Sequence, residues 1–151
     1  MHRWNRWARN DDGSAALEFI VVGVILLVPL VYLVLTLGAV QEQTLGAEAA
    51  ARHTARAMGQ ASDADAAATR GDVILADVID EYGMDPAAVQ VSVVCTPASA
   101  SCPAPGATVV VTVSTRVSLP FVPPVLGLDT VAAIPVEAAA AQKISRVWGS
   151  G

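Results

Sequence analysis

The sequence predicts an α+β protein: a long N-terminal transmembrane helix continuing into a stalk, then a small domain with one amphipathic helix and about three antiparallel strands. Three observations carry this. The 22 residues from Phe19 to Val40 hold no charge. The apolar residues between Ile74 and Tyr82 recur at helical spacing, and the Val-rich segments after Val89 alternate with period two.

The apolar run comes first. Apolar residues make up 54% of the 151 and charged residues only 15%, well below a typical soluble ~25%. As a helix the Phe19–Val40 run reaches about 33 Å, enough for a hydrocarbon core of ~30 Å. It is longer than the ~7–15 apolar residues of a secretory signal. The nearest cleavage-like sequence, Thr44-Leu45-Gly46-Ala47, is weak. A retained span is therefore expected, with a kink near residues 25–29, where Pro29 removes a backbone hydrogen bond. Arg3, Arg6 and Arg9 precede the run, whereas the first basic residues after it are Arg52 and Arg56. By the positive-inside rule the N-terminus is cytoplasmic and the remainder extracytoplasmic.

No strong breaker follows until Gly59, so one helix is expected from Ser14 to about Met58. Ala47, Ala49, Ala50, Ala51, Ala55 and Ala57 would let another helix approach closely; otherwise this part is a solvated stalk. The expected organisation is a leader over 1–13, a span and stalk over 14–58, and an extracytoplasmic domain over 59–151.

Gly59 to Asp65 reads as a loop. Ile74, Leu75, Val78, Ile79 and Tyr82 then share one helical face, and Asp72, Asp77, Asp80 and Glu81 the other. Gly83 ends this helix. The acidic run Asp72–Asp85 lacks the ligand spacing of a calcium loop and reads as a solvated face.

Val89, Val91, Val93 and Cys95 alternate with Gln90, Ser92 and Val94, and Val109 to Val117 repeat the pattern. The Pro/Ser/Ala/Gly stretch Thr96–Gly106 makes the two a hairpin. Pro120, Pro123 and Pro124 make the next segment irregular. Asp129–Ala141 is a third strand, with Pro135 pushing it to an edge. The tail to Gly151 carries no clear signal. Cys95 and Cys102 flank the hairpin loop, and an extracytoplasmic compartment favours a disulfide there over free thiols or a metal pair.

The chemistry search is negative. The sequence contains no nucleophile elbow, zinc-protease helix, phosphate loop or dinucleotide fingerprint. Lys143 is the lone lysine, and His2 and His53 have no evident partners. No enzyme activity, metal, cofactor or small-molecule substrate is expected. A net charge of −5 argues against binding nucleic acid through a basic surface.

One constellation is more specific. A short basic leader ends at Gly13, and Glu18 follows five residues later at the edge of the apolar helix. Burying a carboxylate at a bilayer's centre costs about 2.5–3.5 kcal/mol on insertion scales, and less near an end. Were the chain cut after Gly13, Ser14 would carry the new amine and Glu18 would be the fifth mature residue, one turn away. That amine, or a neighbour's, then compensates the carboxylate.

Asp12-Gly13-Ser14-Ala15-Ala16-Leu17-Glu18-Phe19, Pro29 within the apolar run, and the Val-rich hairpin with its proline-bearing loop and last strand occur in this order. Together they resemble the TadE/TadF-like minor pilins (pseudopilins) of the tight-adherence pilus system, with a type IV pilin-like N-terminus. The resemblance covers Asp12 to about Ala141. Archetypal pilins begin with Phe where this chain has Ser14, which favours the tight-adherence branch. The resemblance implies processing by a prepilin peptidase, with Gly13 and Ser14 flanking the cut. It further implies partnership with other pilin-like subunits and an inner-membrane assembly platform. Two other readings stand beside it: a single-pass anchored binding or sensor domain, and a secreted protein whose helix is a cleaved signal.

Overall fold

The computed structural model describes residues 11–99, 101–122 and 132–149, with side chains from Ala15 onward. The architecture is α+β: two helices followed by a three-stranded antiparallel sheet. The chain divides between Leu37 and Gly38 into two units, each described separately here.

Helix α1 spans Asp11–Gly59, beginning three residues earlier than the sequence predicts and continuing through Pro29. Its portion up to Leu37 belongs to the first unit. There every side chain from Ala15 to Val31 is exposed, including Phe19, Ile25 and Leu27. By length and composition the helix can cross a membrane. Lipid contact would remove this apolar surface from water at roughly 25 cal/mol per Å².

The second unit contains the rest of α1. There Ala47, Ala50, Ala51, Thr54, Ala55 and Met58 are all buried. Their spacing of three and four residues makes one stripe on a helix. The residues that cover it come from α2, Ala64–Glu81. A Cβ on Gly71 of α2 would lie 3.2 Å from Met58 Cγ and 3.5 Å from Thr54 Cγ2. One on Gly46 of α1 would lie 3.0 Å from Tyr82 Cβ. The small residues thus do serve a close helix approach, within the chain itself.

The turn between the helices is shorter than predicted, because Asp63 caps α2. Its carboxylate accepts the Ala66 N–H at 2.8 Å, so Ala64 and Asp65 join the helix. At the other end the Met84 N–H donates to Ile79 O and the Gly83 N–H to Asp80 O, with Gly83 at φ +57°. This doubly bonded, left-handed stop is why the helix ends at that glycine. Asp72, Asp77, Asp80 and Glu81 are exposed, as the periodicity predicts.

The sheet comprises β1 (Gln90–Thr96), β2 (Thr108–Val117) and β3 (Ile134–Lys143), in that order, with β2 central. The register runs Val93↔Val111 on one side and Val111↔Ala140 on the other. Val109, Val111 and Val113 are fully buried and join the helix alanines in one core. β3 is an edge strand containing Pro135, as expected. It runs two residues beyond the predicted end, and the first residues predicted for it, 129–131, lie outside the described ones, as do Pro123 and Pro124.

Candidate functional site

The helix start is the candidate processing site. Gly13 and Ser14 have helical backbone, in the first turn of α1. The first four N–H groups of any helix lack intrahelical acceptors, so this turn is its most easily opened. Glu18 lies four positions beyond Ser14 on the same helix, and its side chain is exposed. The leader arginines Arg3, Arg6 and Arg9 lie outside the described residues.

Thr36 and Thr44 return their hydroxyls to the carbonyls of Tyr32 and Val40, at 2.8 and 2.7 Å. Such bonds let a hydroxyl sit on an apolar helix without needing water. The uncharged run therefore carries little unmet polarity into whatever surrounds it.

Cys95 and Cys102 form a disulfide with a Cα–Cα separation of 5.7 Å. Cys95 lies on β1 opposite Val109, whereas Cys102 lies in the loop, six positions before β2 begins. The bridge therefore pins the loop onto its own first strand rather than tying the two strands together. Pro103 beside it is buried. The loop is fastened further by the tail: Ile144 N–H donates to Ala107 O at 2.8 Å, and Gly106 N–H to Ser145 O at 3.1 Å. The sequence gives no signal for this tail contact, because Ile144 and Trp148 belong to no periodic pattern. Ile144 is nonetheless only 1% exposed.

Among the described residues no three His, Cys, Asp or Glu side chains converge as a metal site would require. His53 is exposed on α1. Asp63 has its pKa lowered, first by the Ala66 N–H it accepts and then by the Ser62 hydroxyl, which is capping geometry rather than an acid–base site. Compared with known protein families, curated proteins and solved structures, the chain finds no match.

Proposed function

We propose that this chain is a membrane-anchored, minor pilin-like component of a tight-adherence or type IV-like pilus assembly or secretion system. Its N-terminus is cytoplasmic, and a prepilin peptidase cuts between Gly13 and Ser14. The observation that carries this is the two-part character of α1. One portion is apolar and uncovered, behind a Gly-Ser-Ala-Ala-Leu-Glu start, and the other is built into a folded domain. A subunit that passes between bilayer and fibre needs both parts. Its outer domain supplies contacts to other pilin-like subunits and to an assembly platform in the inner membrane.

The extraction step follows from the same chemistry. Lipid tails are as apolar as Leu, so moving the helix from lipid into a bundle gains little from burial alone. Close packing and the pairing of Glu18 with a Ser14 amine must tip that balance. The cleaved-signal reading is disfavoured at Gly46, which is buried against Tyr82 and Met84 inside the domain.

The intact mass and N-terminal sequence of protein from native membranes test the proposal. The chain should begin Ser-Ala-Ala-Leu-Glu, and Gly13→Val should leave the precursor uncut. An uncut wild-type chain favours the plain anchored binding or sensor domain. A start beyond Val40 favours a secreted protein.

A further inference from the structure

Strand β1 is an open edge. Among the described residues it pairs on one side only, from Gln90↔Ser114 to Thr96↔Thr108. The sheet's other edge, β3, carries Pro135, Glu137 and Lys143. Proline withholds a donor and edge charges repel an incoming strand, which are the usual protections against further pairing. β1 reads Gln-Val-Ser-Val-Val-Cys-Thr, with no charge, proline or glycine.

A second observation concerns the face of β1. Val91 and Val93 lie on the core side of the sheet, opposite Val113 and Val111. Those two partners are 0% exposed, yet Val91 and Val93 are 39% and 38% exposed. The cover of the core stops at β2. An unprotected backbone edge and an uncovered apolar face therefore coincide on one strand.

We propose that β1 pairs antiparallel with β1 of a second copy of this chain, about a twofold axis at Val93. The strand is self-complementary in that register. Val93 meets Val93 of the other copy, Val91 meets Cys95, Ser92 meets Val94 and Gln90 meets Thr96. Core-side residues meet core-side residues, outer meet outer, and no charges oppose each other. Such a contact is isologous, closes on itself and joins two three-stranded sheets into one. The β3 edge fits less well as the occupant, because it would bring Pro135 and two charges against an uncharged ladder. This inference uses only the second unit and does not rest on the pilus reading.

The test uses the full chain in membranes. Directly opposed antiparallel residues have Cα atoms roughly 4.5–5.5 Å apart, within disulfide range. Under mild oxidation Val93→Cys should shift to twice the monomer mass, reversibly on reduction. Ala139→Cys, on exposed β3, should remain monomeric. Adding Ser92→Lys to Val93→Cys should abolish the dimer, since two lysines would then flank the axis on one face. Independently of any added thiol, the wild type should sediment in detergent as a dimer and Ser92→Lys as a monomer, with the Cys95–Cys102 peptide intact in each. A folded but monomeric wild type overturns the proposal, as does equal cross-linking at Val93 and Ala139. An adduct of another mass would assign the edge to a different protein and overturn it as well.

Discussion

Asp63 shows how one side chain sets a boundary. Its carboxylate satisfies the Ala66 N–H and receives the Ser62 hydroxyl at 2.9 Å, and both hold its pKa below the ordinary value. A lowered folded pKa means stability that is fully present above the usual carboxylate range, near about 4, and lost as pH falls through the lower folded value. Asp63→Ala should therefore lower the melting midpoint at neutral pH, with the difference from wild type shrinking below about pH 4. Asp63→Asn retains an acceptor of similar capping strength and should keep most of the neutral-pH stability without that acid dependence. Circular-dichroism melts between acid and neutral pH check both. Asp63 is legible as a cap from its type alone. What hid it was Asp65, which looks equally like part of a polar turn.

At the scale of elements, the seam between α1 and α2 depends on two glycines that differ in what lies above them. Each costs a helix interior about 1 kcal/mol relative to alanine. Above Gly71 is the flexible Met58 side chain, 3.2 Å from a would-be Cβ. Above Gly46 is Tyr82 Cβ at 3.0 Å, held by its own backbone, with Met84 Sδ at 2.9 Å. Gly71→Ala should therefore be neutral or stabilising by up to about 1 kcal/mol. Gly46→Ala should destabilise by about 1–2 kcal/mol, because overpacking a rigid contact exceeds the gain in propensity. Equilibrium denaturation of the two variants in detergent distinguishes them, and equal effects would contradict the seam. The stripe of small residues was legible in the sequence, but its occupant was not. Small residues suit any close helix, whether α2 of the same chain or a helix of another.

At the scale of the whole molecule, the distribution of charge and apolar surface sets the expected topology. Arg3, Arg6 and Arg9 precede the uncharged run, while Arg52 follows at a distance and is already paired with Glu48. With the N-terminus inside, Cys95 and Cys102 lie outside, in a compartment that permits their bridge. After reduction, a membrane-impermeant thiol reagent should label both cysteines in intact cells. Labelling only after lysis would reverse the topology and remove the pilin-like reading with it.

The sequence by itself determined that there is an uncharged helix of membrane length, an acidic-faced second helix, a Val-alternating hairpin and an edge strand marked by Pro135. Each is a local pattern, written by side-chain periodicity and by backbone limits at Gly and Pro. The tertiary structure alone decided what covers each apolar face. It buried Ala47, Ala50 and Ala51 within the chain and bound the aperiodic tail through Ile144. It placed the Cys102 half of the bridge in the loop, and it left Val91 and Val93 half-covered although β1 alternates as β2 does. The physical reason is that period and propensity specify which side of an element is apolar, whereas burial depends on contacts between residues far apart in the chain.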